Sequence, residues 1–131
     1  ITGSHILVAA DDSPNSRQAV QDALSLGRSC ATLQRITVLA VARKENELLQ
    51  AQVLTEAICE QGRQAGLVVP MEPLAVVGDA ARSIVETALQ RQADMILVGG
   101  RGKTGLAKMI KGHVTELVIG KAHCAVLVVT A

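Results

Sequence analysis

The chain has 131 residues, of which 49% are hydrophobic, and it contains no Phe, Tyr or Trp. Its length suits a single domain over residues 1–131, with a core of Leu, Ile, Val and Ala. The net charge of +1 provides no overall field for DNA or a membrane surface, and the missing aromatics argue against base stacking on single-stranded nucleic acid. We therefore expect no nucleic-acid partner and no direct membrane insertion.

The cysteines favour a reducing compartment. Cys30, Cys59 and Cys124 are odd in number and show no C-x-x-C spacing, which is typical of reduced thiols rather than of a disulfide framework or a zinc site. No apolar run is long enough to span a membrane and no signal peptide opens the sequence. We therefore expect a soluble, cytoplasmic domain.

Strand-like and helix-like segments alternate along the chain. Near-continuous apolar runs predict strands that are buried on both faces, at 5–10, 36–42, 71–77, 94–99 and 125–130. Apolar residues at helical spacing predict helices from Ser13-Pro14 to about residue 33, over 45–65, after Gly78-Asp79, and near 113–122. This alternation predicts an α/β fold, with a five-stranded parallel sheet covered by helices on both faces.

The ends of these strands are where a ligand is expected. In open parallel sheets, ligands bind beyond the carboxyl ends of the strands, near the point where the strand order reverses. Asp11, Val41, Gly78 and Gly99 fall at or near such ends. We therefore look for the functional site there.

The stretch GGRGKTGLAKMIKG, residues 99–112, contains three overlapping glycine patterns. A P-loop, G-x-x-x-x-G-K-[ST], would end with GKT at 102–104, but its opening glycine would be position 97, which is Leu. The dinucleotide fingerprint G-x-G-x-x-G matches residues 100–105, but the next strand ends Val-Val-Thr-Ala without the acid that holds a ribose. Both interpretations are rejected.

The third pattern, G-x-x-G-x9-G, begins at Gly99 and resembles the nucleotide motif of the universal stress protein family. The resemblance covers almost the whole chain. ILVAADDSPNSRQAVQDAL is similar to that family's first strand and helix, and VVGDAARSIVETALQRQADMILVGGRGKTGL to its third helix, fourth strand and phosphate loop. GHVTELVIGKAHCAVLVV is similar to its last helix and strand.

The resemblance implies which residues contact the base and the sugar. Asp11, at the end of the first strand, matches the acid near the ribose and the phosphates. Ala9 matches a position that lines the purine, and Val41 matches the position whose backbone meets the adenine ring.

The resemblance places the phosphates on the glycine motif and on the start of the next helix. Gly99, Gly102 and Gly112 match the phosphate-loop glycines, and Val114 and Thr115 match the helix start that completes the cradle. The motif suits an anion, because glycine lets backbone N–H groups approach closely and a helix amino end favours negative charge.

Arg101 and His113 add charge and shape to this predicted site. Arg101 begins a stretch, residues 101–121, that contains five basic residues and one acidic residue, Glu116. This local excess of positive charge indicates either a solvated loop or an anion site. His113 stands where the family's ATP binders have Ser or Thr, and an imidazole therefore replaces the hydroxyl donor. The imidazole either donates a hydrogen bond to a terminal phosphate or crowds it, which leaves ATP, ADP and AMP as alternative ligands.

The resemblance also implies the fold and the biological role. The fold would be Rossmann-like, of the adenine nucleotide alpha hydrolase-like type, with strand order 3-2-1-4-5. A universal stress protein domain over residues 1–131 would bind ATP, with Mg²⁺ as a possible companion, in a regulatory or stress-response role, and would form a homodimer through its last strand. The alternatives are a nucleotide-free dimeric module of a larger sensor or transporter, and a slow ATPase.

Asp11 and Asp12 follow the first strand, as the magnesium-binding acids of a response-regulator receiver do. A receiver also needs an Asp at the end of its third strand and a Lys after its fifth, and the sequence has neither. His5 and His123 lack triad or metal-ligand spacing, so we expect them at the surface or in packing. No catalytic residue and no metal ligand is assigned from the sequence.

Overall fold

The computed structural model describes residues 4–100 and 114–130. The strands are β1 (Ser4–Ala9), β2 (Leu33–Ala42), β3 (Met71–Val77), β4 (Met95–Gly99) and β5 (Ala125–Val129). The helices are α1 (Pro14–Ser29), α2 (Leu48–Gln64), α3 (Ala80–Gln90) and α4 (residues 114–121), and a short 3-10 turn, Glu45–Glu47, precedes α2.

The strands form one parallel sheet in the order β3-β2-β1-β4-β5, which confirms the predicted fold class and strand order. Ala9 of β1 pairs with Leu39 of β2, and Gly99 of β4 pairs with Val129 of β5. Because all strands run the same way, their carboxyl ends share one edge of the sheet. The strand order reverses between β1 and β4.

Helices cover both faces of the sheet, as the sequence predicts. On one face, α1 and α2 pack against Ile6, Val8 and Leu97. On the other, α3 and α4 pack against Leu7 and Ile96, the neighbours of those residues along the strands. The core is aliphatic, and its strand positions alternate between the two faces because successive strand residues point in opposite directions.

The boundaries of α1 follow from its capping residues. The Ser13 hydroxyl accepts the N–H of Ser16, and Pro14 takes the first helical position, as predicted. The prediction that α1 runs to about residue 33 is wrong, because Cys30 already has extended backbone (φ −102°, ψ 108°). Leu33 instead begins β2 and is buried, and apolar spacing alone cannot distinguish a helical from a strand position there.

The amino end of α1 approaches the end of β4 closely. A Cβ atom at Gly99 would lie 2.6 Å from the backbone N of Ser16 and 2.8 Å from the carbonyl carbon of Asn15. Both of these are backbone atoms of the first turn of α1, and they cannot move aside as a side chain can. The position of α1 on the sheet therefore requires glycine at residue 99.

The opposite edge of the sheet holds a buried histidine. His5 is 7% exposed, its ring Nδ1 lies 2.8 Å from the Arg91 carbonyl oxygen, and its Nε2 lies 2.7 Å from the Thr37 hydroxyl. Nδ1–H therefore donates to the carbonyl, and the Thr37 hydroxyl lies within hydrogen-bond distance of both Nε2 and a Glu72 carboxylate oxygen (3.3 Å). The prediction that His5 serves packing fits this position, whereas exposure at the surface does not.

Four charged groups surround His5. Asp94 accepts the backbone N–H of His5 at 2.8 Å, Arg35 Nη2 lies 3.5 Å from Nδ1, and Glu72 forms a two-point ion pair with Arg91 beside Thr37. Burial lowers the pKa of His5 below its usual value of 6.5, and the Arg35 charge acts in the same direction. The acidic neighbours and the Arg91 carbonyl oppose this shift without reversing it.

The lowered pKa of His5 predicts a loss of stability in mild acid. Below a pH of about 6.5 the unfolded chain takes up a proton that the folded chain resists, so the free energy of unfolding falls until the folded pKa is passed. We expect His5→Gln to reduce the fall between about pH 7.5 and pH 5, measured by urea unfolding. His123→Gln, at an exposed position before β5, is the control that removes a histidine without disturbing this cluster. Equal slopes in wild type and His5→Gln would contradict the assignment.

The contact at Gly99 predicts a stability loss for a single added methyl group. Gly99→Ala should lower the free energy of unfolding by about 1–3 kcal/mol, because α1 must shift to admit the Cβ atom. Gly120→Ala is the matched control, since a Cβ on that α4 residue meets nothing within 4 Å. It should be neutral or stabilising by up to about 1 kcal/mol. Urea unfolding measures both variants, and a Gly99→Ala protein as stable as wild type would refute the close approach.

Candidate functional site

The candidate site lies at the carboxyl edge of the sheet, where β1 and β4 are neighbours. This is the point at which the strand order reverses, and ligands of open α/β sheets bind in the crevice there. β1 ends at Ala9, and β4 ends at Gly99. The segment after β1 leads directly into α1, so the amino end of that helix faces the same edge.

Ser16 links β1 to α1 at this edge. Its buried hydroxyl accepts the backbone N–H of Asp11 at 2.7 Å and donates to the Ala9 carbonyl at 3.4 Å. Two predicted site residues, Ala9 and Asp11, are thereby held by one side chain of the first helical turn. The sequence did not point to Ser16, because a serine in a first turn is common and leaves no spacing signal.

The Asp11 side chain is exposed at the mouth of this edge. One carboxylate oxygen accepts the N–H of Ser13 at 2.7 Å, and this bond fixes the side chain in a tight turn. Asp12 instead points to solvent and pairs with Arg17 at 3.2 Å, with 90% of its side chain exposed. The structure thus distinguishes the two acids, since Asp11 lies at the start of α1 and Asp12 is a surface residue.

The backbone that leaves β4 is also held by side chains. The Thr115 hydroxyl donates to the Gly99 carbonyl at 2.8 Å, and the Asn15 amide donates to the Gly100 carbonyl at 2.9 Å. The Gly100 N–H donates to the Val129 carbonyl at 2.7 Å. The sequence predicts Thr115 in the phosphate cradle, and its hydroxyl proton is directed to the Gly99 carbonyl in this structure. The sequence did not point to Asn15, whose partner lies 85 residues away.

Apolar side chains flank the site on the α3 face of the sheet. Ala9, Val41 and Val114 are all partly buried and pack against the same core cluster, which contains Leu7, Leu39 and Val118. Val41 is the penultimate residue of β2, one strand away from Ala9. The site thus has an apolar side beneath α3 and α4 and a polar side at the start of α1.

The structure brings six of the predicted site residues to this edge: Ala9, Asp11, Val41, Gly99, Val114 and Thr115. Arg101, Gly102, Gly112 and His113 lie outside the described residues, and their assignments stay predictions. Gly78, which follows β3, donates its N–H to the Ala42 carbonyl at 2.9 Å and belongs to the same edge at β2 and β3.

Over 4–100 and 114–130, no three His, Cys, Asp or Glu side chains are grouped so that they could hold a metal ion together. Within the same ranges, no helix combines the length and apolarity that crossing a bilayer requires. Cys30, Cys59 and Cys124 are free thiols.

Comparison with known sequences identifies the family. The model of the universal stress protein family matches residues 3–130. Universal stress protein MJ0531 of Methanocaldococcus jannaschii is 32% identical over 138 residues, covering 95% of this chain and 80% of that protein. Universal stress protein Sll1388 of Synechocystis is 28% identical over 147 residues, covering 95% of this chain and 96% of that protein.

Solved structures show the same fold. MJ0577 of M. jannaschii is similar with a TM-score of 0.80 at 26% identity, over 100% of this chain and 98% of that one. A universal stress protein in complex with cAMP has a TM-score of 0.75 at 22% identity, over 98% of both chains. One from Archaeoglobus fulgidus in complex with dAMP has a TM-score of 0.74 at 20% identity, over 98% of this chain and 99% of that one. With its fold, strand order and nearly full-length match to the family model, this chain belongs to the universal stress protein family.

Proposed function

We propose that the chain binds an adenine nucleotide, preferably ATP, at the edge between β1 and β4, and acts as a regulatory or stress-response domain. The observation that carries the proposal is the convergence of Asp11, Gly99 and the amino end of α1 at the point of strand reversal. The two relatives solved with cAMP and dAMP support an adenine nucleotide as the ligand class.

The apolar side of the site suits the base. Ala9, Val41 and Val114 present partly buried aliphatic surface on one face of the sheet, which matches the flat, largely apolar faces of a purine. Asp11 lies between this surface and the start of α1, and its carboxylate is the acceptor that we assign to a ribose hydroxyl.

The phosphates belong at the polar side. α1 begins at this edge, and the positive end of its dipole favours an anion there. We assign Arg101, Gly102, Gly112 and His113 to the phosphates on the sequence motif alone. Mg²⁺ would enter with the phosphate oxygens of ATP, since protein cages built only for Mg²⁺ are uncommon. The proposed role of the site is binding, without a catalytic residue.

We also propose that the chain works in the cytoplasm and forms a homodimer through β5. β5 is an edge strand, and Leu127 and Val128 are 42% and 39% exposed on it. Leu117 and Ile119 on the neighbouring α4 are exposed as well. An apolar edge with unpaired backbone groups is a surface that proteins normally cover, and a second copy of the same strand can do so.

Asp11→Asn tests the nucleotide site without removing the turn that Asp11 forms. The amide oxygen can still accept the Ser13 N–H, but the charge-assisted bond to the ribose is lost. We expect the Kd for magnesium-ATP to rise about tenfold, which corresponds to about 1.4 kcal/mol, in isothermal titration.

Asp12→Asn is the matched control for that titration. It removes the same charge from the next residue, which is exposed and paired with Arg17, and should change the Kd by less than about twofold. Equal effects of the two substitutions would mean that only net charge matters, and the assignment of Asp11 would then be wrong.

Leu127→Glu tests the dimer. A charged side chain at the centre of β5 would be buried without a partner in a strand-to-strand interface, so the variant should sediment as a monomer at concentrations where wild type is a dimer. Val68→Glu, at a position 92% exposed outside β5, should leave the wild-type mass unchanged. A wild-type chain that is monomeric at all concentrations would refute the proposed dimer.

A further inference from the structure

The buried ring of His5 is one end of a hydrogen-bonded chain that crosses three strands at the amino edge of the sheet. His5 lies on β1, Thr37 on β2 and Glu72 on β3. The Thr37 hydroxyl is buried between the other two side chains, 2.7 Å from Nε2 of the ring and 3.3 Å from a carboxylate oxygen. Because a hydroxyl has one proton, Thr37 donates to only one of these two groups at a time.

A neutral ring allows one arrangement of the protons in this chain. Nδ1 lies 2.8 Å from the Arg91 carbonyl oxygen, which only accepts, so the neutral ring carries its proton on Nδ1. Nε2 then presents a lone pair, and at 2.7 Å it accepts the hydroxyl proton of Thr37. In this state the bonds to the Glu72 carboxylate come from Arg91, through Nε at 3.0 Å and Nη2 at 2.9 Å.

A protonated ring requires the opposite arrangement at Thr37. The proton taken up from water is carried on Nε2, which becomes a donor to the Thr37 oxygen. The hydroxyl proton then points to Glu72, so that both N–H groups of the ring keep an acceptor. Glu72 stays a carboxylate in mild acid, because the hydrogen bond from Arg91 lowers its pKa and burial opposes this without reversing it.

The other charged groups around the ring do not replace Thr37 in this chain. Asp94, which precedes β4, accepts the backbone N–H of His5 at 2.8 Å rather than a ring N–H. Arg35 on β2 is a donor, and its Nη2 at 3.5 Å from Nδ1 is too distant to compete with the carbonyl contact at 2.8 Å. Among the described residues, Glu72 is thus the carboxylate that the ring reaches through a hydroxyl.

We propose that Thr37 is a two-position proton switch that lets the folded chain protonate His5 in place and transmits the change to the Glu72 carboxylate. In mild acid the reoriented hydroxyl adds a third hydrogen bond to Glu72, beside the two from Arg91. β3 is an edge strand and Arg91 ends α3, so the added bond strengthens the attachment of that edge to the rest of the sheet. The switch lies at the opposite edge from the proposed nucleotide site and does not depend on it.

Side-chain NMR between about pH 8 and about pH 4.5 tests the switch in wild type, Thr37→Val and Thr37→Ser. The ring nitrogen shifts should show a proton on Nδ1 alone at neutral pH and on both nitrogens in acid. Thr37→Val removes the hydroxyl with little change in volume, and the charged ring loses the stronger hydrogen bond. The acid dissociation constant of His5 should therefore rise about threefold to tenfold. Thr37→Ser is the matched control, since it keeps the hydroxyl and should keep the wild-type constant.

The side-chain carboxyl carbons of Glu72 and Asp94 report how the change is transmitted. In wild type both resonances should shift at the titration midpoint of His5, Glu72 through the hydroxyl and Asp94 through the nearby charge. In Thr37→Val the shift at Glu72 should fall to less than about half, because the hydrogen bond that carries it is gone. Asp94 bonds the backbone N–H and should keep its shift, which makes it an internal control.

Several results would overturn the inference. A neutral ring protonated on Nε2 would do so, as would a Glu72 resonance in wild type that does not respond to His5, and neither measurement needs a variant. An unchanged dissociation constant or an undiminished Glu72 shift in Thr37→Val would mean that the charge acts through space alone. A wild-type chain that unfolds before His5 titrates would show that the fold does not accommodate the protonated ring.

Discussion

The site depends on the close approach of α1 to the end of β4. Without a side chain at Gly99, the backbone N of Ser16 can occupy a position 2.6 Å from where a Cβ atom would be. At that distance, the Ser16 hydroxyl links Ala9 to Asp11, and the Asn15 amide reaches Gly100. A larger residue at 99 would push α1 away from β4 and disturb these three hydrogen bonds together. A glycine that the sequence assigns to phosphate binding thus has a packing role as well.

This approach places two kinds of surface beside each other. On the α3 face, Ala9, Val41 and Val114 belong to the aliphatic core and leave part of their surface uncovered. On the α1 face, polar groups and a helix amino end meet the same edge. A nucleotide has a corresponding division between an apolar base and a charged phosphate chain.

The end of β5 also contacts this edge, because the Gly100 N–H donates to the Val129 carbonyl. The proposed nucleotide site and the proposed dimer edge are therefore adjacent.

Much of the fold could be predicted because its signals are local. Apolar runs identified all five strands, and Ser13-Pro14 identified the start of α1. The strand order came from the resemblance to the family and is confirmed. The end of α1 was misplaced because Leu33 continues the helical apolar spacing while belonging to β2.

The candidate site was predictable only in part. Asp11 and Gly99 fall at strand ends, which a sequence can locate, and the structure places both at the reversal of strand order. Ser16 and Asn15 were missed because their partners are backbone groups on other elements, and such bonds leave no periodic pattern. The same holds for His5, whose partners Thr37 and Arg91 come together only in the folded sheet.

The central claim is that the edge between β1 and β4 binds an adenine nucleotide, and thermal unfolding with and without magnesium-ATP, ADP and AMP tests it most directly. A nucleotide present at 100 times its Kd should stabilise the fold by about 2.7 kcal/mol and raise the Tm measurably. We expect the largest rise with ATP, and a rise with AMP alone would indicate that the terminal phosphates are excluded. An unchanged Tm with all three nucleotides at millimolar concentration would contradict the claim and favour a module that works without nucleotide.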